Sequence, residues 1–151
     1  MLKIKFAAMY VLVLIGPTLS AGEPEEILQG RWNVEKMEFE GQDVPRWADR
    51  TCEITKNEIV LAAPNGRTSK GKFEPRVSDE KKNLFRFLLE EFDDKPQQGG
   101  GGPRKGICRV TDGVLEILET TSAADDFPKD FSEESKSTVI YWKLKKPNVS
   151  K

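Results

Sequence analysis

Histidine is absent from all 151 residues, which removes most common catalytic and metal-binding arrangements at once. Serine or cysteine nucleophiles of the usual kind need an imidazole to take their proton, and most catalytic zinc sites need one as a ligand. Cys52 and Cys108 are the only thiols, too few for a four-thiolate site. What remains is carboxylate chemistry or an activated lysine. Hydrolysis by carboxylates requires two acids in one cleft, one of them with a raised pKa. The acids cluster at Glu90-Glu91-Phe92-Asp93-Asp94 and at Asp125, Asp126, Asp130, Glu133 and Glu134. Neither group has the spaced Asp/Asn/Gly pattern of a calcium loop, so both read as solvated charge. Gly99-Gly100-Gly101-Gly102-Pro103-Arg104-Lys105 lacks the Gly-Lys-Ser/Thr ending that a phosphate loop needs, and reads as a linker. No catalytic residue, metal site or cofactor is predicted.

The elements around these residues begin with an export leader. Lys3 and Lys5 precede an apolar run from Phe6 to Ile15, Gly16-Pro17 breaks it, and small residues at 18–22 offer cleavage after Ala21. The run is shorter than the ~20 apolar residues of a membrane span. Cleavage would leave 130 residues and change the formal charge from −1 to −3. That length suits a single domain with one core. Cations and acids are interspersed, which disfavours nucleic acid and stable membrane insertion as partners. The predicted location is the periplasm or the exterior. Asn148-Val149-Ser150 fits a glycosylation acceptor, a triplet frequent by chance.

Beyond a short acidic tail at 22–27, apolar residues alternate with period two, and turn residues recur every ~8–12 positions. Eight strands are predicted, at 31–39, 51–55, 58–62, 69–74, 83–90, 105–110, 114–118 and 138–144. The apolar phase shifts between Val34 and Met37-Phe39, which predicts a bulge near Glu35-Lys36. Pro64-Asn65-Gly66 and Asp112-Gly113 are turn signals, 45–48 is a short loop or helical turn, 93–104 a mobile loop, and 122–136 a long acidic connection. Antiparallel strands with one apolar face each bury it by closing into a barrel. The inner face is then Trp32, Val34, Cys52, Ile54, Ile59, Leu61, Phe73, Phe85, Phe87, Leu89, Cys108, Val110, Leu115, Ile117, Ile140, Trp142 and Leu144. This aromatic-rich set predicts a largely self-filled lumen with at most a small apolar pocket, and no acid on the inner face. Cys52 and Cys108 form an even pair in an exported chain, which invites a disulfide. Their mid-strand positions on non-adjacent strands suit two separate buried thiols instead.

At Leu28-Gln29-Gly30-Arg31-Trp32-Asn33-Val34 the chain resembles the Gly-x-Trp opening of lipocalin-like barrels. Phe39-Glu40-Gly41-Gln42-Asp43-Val44-Pro45, Gly106-Ile107-Cys108, Asp112-Gly113-Val114-Leu115-Glu116-Ile117 and Pro128-Lys129-Asp130-Phe131 follow in order. The set is similar to the small secreted lipocalin-like domain abundant in planctomycete bacteria, over residues 27–146. The resemblance implies an all-β, eight-stranded antiparallel up-and-down barrel spanning 28–146 with a tail at 147–151, and supplies no activity. In lipocalins a late Arg packs on the opening Trp; here only Lys143, Lys145 and Lys146 stand in that region.

Trp47, Phe92, Phe127 and Phe131 fall in loops, where large apolar groups are costly unless packed or used. They are the predicted ligand-binding residues, at the barrel mouth. The expected function is non-catalytic binding of a small apolar ligand. The alternative is a protein-interaction or inhibitor domain, with a filled lumen, that presents loops 93–104 and 119–137 to an exported partner.

Overall fold

The period-two pattern is realised as a closed antiparallel barrel. The structure, a computed structural model, describes residues 24–91, 103–122 and 125–148. The leader 1–21, Phe92, Asp93-Asp94, the glycines at 99–102 and Val149-Ser150 lie outside the described residues. The strands are β1 (Gly30–Phe39), a two-residue β2 (Gln42–Asp43), β3 (Thr51–Ile54), β4 (Glu58–Ala62), β5 (Thr68–Asp79), β6 (Leu84–Glu91), β7 (Arg104–Thr111), β8 (Val114–Glu119) and β9 (Ile140–Lys145). Each of the eight long strands pairs antiparallel with its sequence neighbours, and β1 also pairs with β9, so the sheet closes on itself.

Local chemistry sets the register. The β1–β9 ladder slips between Val34 and Lys36, where the apolar phase changes. The bulge adds one residue to β1 and so keeps Trp32, Val34 and Met37 all on the inside. Phe39, expected to share that face, is 43% exposed at the last rung of the β1–β9 ladder, where β1 turns into a hairpin with β2. Glu40-Gly41 and Asp112-Gly113 both have two consecutive positive φ values, the conformation of a tight two-residue hairpin turn. At Pro64-Asn65-Gly66 the Asn65 side chain accepts the Arg67 amide and Gly66 takes a φ of 82°.

Every residue assigned to the inner face belongs to the lumen core or packs against it, joined by Ile27, Leu28, Met37, Val44 and Trp47. Gly106 is the inward residue facing Phe87 across β6–β7. A Cβ there would come within 2.1 Å of the Phe87 ring, so the missing side chain is what lets the ring lie across the strand. Phe87 in turn packs on Phe73, with ring centroids 5.0 Å apart.

The described part of the segment read as an acidic tail packs on the barrel. Pro24–Leu28 forms a 3-10 turn that carries Leu28 and Ile27 into the end of the lumen. Trp32 Nε1 donates to the Leu28 carbonyl at 2.9 Å, and the Lys146 ammonium sits 5.1 Å from the Trp32 ring. Lysine thus supplies the cation over the opening tryptophan. The turns β3–β4, β5–β6 and β7–β8 share this closed end. The connections β1–β3 and β4–β5 lie at the other, where β6 and β8 end and β7 and β9 begin.

Candidate functional site

Toward that second, open end the lumen is not filled: it holds a cavity of about 340 Å³. The small apolar pocket allowed for by the sequence is present, at the open end of an otherwise largely filled lumen. Alternation counts apolar side chains but not the space left between them; inward Gly71 in the cavity wall is itself closely covered, since a Cβ there would come within 2.8 Å of Leu89 Cδ1. Met37, Ile59, Leu61, Phe73, Phe87, Leu89, Ile117, Ile140 and Leu144 give the cavity an apolar lining. The volume lies at the small end of the range for ligand pockets, ~300–1,000 Å³.

Trp47 closes over this chamber from the β1–β3 connection. Pro45–Trp47 is a 3-10 turn held by the amides of Val44, Trp47 and Ala48, which donate to the carbonyls of Met37, Val44 and Pro45. The Trp47 ring stands edge-on to Trp142 on β9 at 5.3 Å and 85°, and the Arg50 guanidinium lies 3.9 Å from its centroid. Of the three predicted site residues that are described, Trp47, Phe127 and Phe131, only Trp47 lies in the cavity wall; Phe92 is outside the described residues.

Phe127 and Phe131 are elsewhere. Phe131 packs on a second apolar cluster, Ile107, Leu118, Val139 and Tyr141, on the outer surface of the sheet. Phe127 lies under Arg86, an outward residue of β6, at 5.4 Å. Their placement at the mouth is corrected: the part of the β8–β9 connection that carries Phe127 and Phe131 packs on the outside of the barrel. The cause is that Ile107, Leu118 and Tyr141 make the outer face of β7–β9 apolar as well, and that face must also be covered. Arg109 stacks on Phe131 at 4.3 Å and pairs with Glu116 at 2.6 Å; Tyr141 Oη donates to Glu116 at 2.9 Å. Burial raises the Glu116 pKa, but the hydrogen bonds from Arg109 and Tyr141 outweigh it and hold the carboxyl below its ordinary value of 4.5. The expected acidic group farther along is spent locally, since Asp130 accepts the Ser132 amide and the Ser135 hydroxyl at the start of α1 (Glu133–Lys136).

Two functional candidates escaped the sequence reading, Arg104 and Glu119. Glu119 is 4% exposed and lines the cavity, which overturns the expectation that no acid reaches the inner face. Its Oε1 accepts from Trp142 Nε1 at 3.2 Å and lies 3.8 Å from an Arg104 guanidinium nitrogen. Both residues extend alternations already visible: Leu115, Ile117, Glu119 on β8 and Cys108, Gly106, Arg104 on β7. Ending β8 at Leu118 and placing Arg104 in a loop hid them. The β7–β8 ladder in fact continues to Thr120, whose amide donates to the Lys105 carbonyl at 2.9 Å. The predicted 93–104 and 119–137 loops lose Arg104 and Glu119 to strands accordingly.

Both cysteines are free and buried, Cys52 in the cavity wall on β3 and Cys108 in the core on β7. Burial, then the negative fields of Glu119 and Glu53, push the Cys52 thiol up to about 12. Burial alone pushes Cys108 up. Such thiols stay protonated and are poor nucleophiles. Among the described residues no group of three or more acids or cysteines is placed to hold a metal ion. No helix among them is long and apolar enough to cross a membrane.

Comparison with protein-family models, with curated proteins and with solved structures finds no match to this chain. The site is therefore described from its own geometry.

Proposed function

We propose that this protein is an exported, non-catalytic binding module that takes a small apolar molecule into the open end of its barrel. One observation carries the reading: an apolar cavity of about 340 Å³, roofed by Trp47 and Trp142, with its polar groups confined to a few positions. Largely apolar walls with a few placed polar groups are the usual make-up of a small-molecule site. The export leader and the lipocalin-like opening around Trp32 support the same reading. Against catalysis stands the chemistry of the lining. Glu119 is the sole carboxylate among the described cavity residues, whereas general acid and base work by carboxylates needs a second.

Trp47 and Trp142 report directly on the chamber. An apolar fluorophore added to the purified protein should quench their emission saturably, and native mass spectrometry of protein from its source should show a bound mass. Absence of both would sink the reading. A loop-presenting interaction domain is less well supported, because the described part of the 119–137 connection is packed on the outer sheet through Phe131.

A further inference from the structure

The inward residues record how deep the chamber runs, and that depth bounds the molecule it can hold, an inference that rests on the binding reading above. Counting from the open end, Leu89 and Phe87 of β6 line the cavity, and Phe85 lies beneath it, 1% exposed. Ile117 of β8 lines it and Leu115 does not; Cys52 of β3 lines it and Ile54 does not. At the level where the chamber stops, two aromatic rings face it. Phe73 and Phe87 stand on neighbouring strands with centroids 5.0 Å apart, and both are buried. Phe87 also reaches across β7, since its Cζ is the atom that a Cβ on Gly106 would meet. The two rings therefore form a shelf that spans β5, β6 and β7. Phe85, Leu115, Ile54 and Trp32 pack the core beyond it. A layer packed to that density yields little to a ligand pressing on it.

Above the shelf the space is limited. A cavity of ~150 Å³ takes up benzene, and this one measures about 340 Å³. In proportion it holds a body of roughly a dozen carbon atoms. On the side away from the shelf, Ser69 and Lys70 line the cavity and are exposed, so the chamber opens to solvent there. A longer chain finds no further wall, and only its buried methylenes add to binding, about fourfold each. We propose that the Phe73–Phe87 shelf is the stop that sets ligand size: the cavity takes a compact apolar body of about a dozen carbons, and a longer hydrocarbon leaves its excess outside the mouth.

The test is displacement of a bound apolar fluorophore by a ladder of primary alcohols: hexanol, octanol, decanol, dodecanol, tetradecanol and hexadecanol. On the native protein, competition should strengthen about fourfold per methylene up to decanol or dodecanol and then level off. Phe87→Ala should carry the rise on to tetradecanol or beyond. Val34→Ala, a truncation of the core outside the cavity lining, should leave the break where it is. Mere loosening of the fold would treat the two variants alike. If the native rise ends by octanol or continues past dodecanol, or if Phe87→Ala keeps the native break, the shelf assignment is wrong while the apolar cavity reading stands. If the fluorophore itself fails to bind, the binding reading falls first. Should Phe87→Ala not fold, Phe87→Leu takes its place, with a smaller shift expected in the same direction.

Discussion

The two ends of the barrel continue the same alternating strands but finish them differently. At the closed end, Leu28 from the N-terminal 3-10 turn plugs the lumen, Trp32 is fully buried, and a backbone carbonyl takes its indole N–H. At the open end another 3-10 turn brings in Trp47, but this tryptophan is only half-buried and its neighbour Trp142 gives its N–H to a side-chain carboxylate. A short turn laid directly into the lumen makes a plug; a longer connection leaning over it makes a roof. Buried side chains pack the first end, whereas the cavity at the second forgoes the stability that filling it would supply.

The sharpest way to break that contrast is to truncate both tryptophans. Trp32→Ala should cost about 3–5 kcal/mol in denaturant unfolding, as for other buried aromatics reduced to alanine. Trp47→Ala should cost only about 1–2 kcal/mol, the loss of one ring contact and one cation–π contact, yet weaken fluorophore binding severely. Equal costs would mean the roof is as structural as the plug.

Gly106 tests the wall between the two ends. Gly106→Ala should destabilise by about 1–3 kcal/mol, because the new methyl group meets the Phe87 ring and overpacks the lumen. Adding Phe87→Leu should recover part of the loss, a non-additivity expected of residues in direct contact. A simple sum of the two single costs would show that Gly106 is not holding space for that ring.

The outer face supplies a smaller effect with a pH signature. The folded-state pKa of Glu116 lies below its ordinary value, so its contribution to stability is present above about pH 4.5 and is lost as pH falls through the lower folded value. Glu116→Gln should therefore be less stable than the native chain by about 1 kcal/mol at neutral pH, and the difference should shrink as the solution is acidified. A gap that persisted at low pH would mean the carboxylate charge is not what Arg109 and Tyr141 recognise.

Lys146→Ala returns to the closed end and should have the least effect, about 0.5–1 kcal/mol, by removing the cation above Trp32. No change in midpoint would mean that the indole–carbonyl bond and burial suffice to hold the plug.

Much of this architecture is legible from spacing alone. Strict alternation from Phe85 to Leu89 and from Ile140 to Leu144 specifies which side chains face inward, because a strand offers only two faces. The slip between Val34 and Met37 marks the bulge, and Asp112-Gly113 marks a hairpin, since each depends on conformational preferences of residues adjacent in the chain. Three features needed the closed fold. The cavity depends on volumes summed around a ring of strands, and no window of sequence contains Gly71, Trp47 and Trp142 together. The Arg104–Glu119 pair depends on where two strands end, and their polar ends look like loops until the β7–β8 ladder is seen to reach Glu119 and the β6–β7 ladder to reach Arg104. Phe131 looks like a mouth residue until the apolar outer faces of Ile107, Leu118 and Tyr141 are brought side by side. Local periodicity therefore determined the strands and their inward faces. Only three-dimensional closure decided where the barrel is plugged, where it stays open, and which charges are trapped inside, because those are properties of side chains distant in sequence competing for one enclosed space.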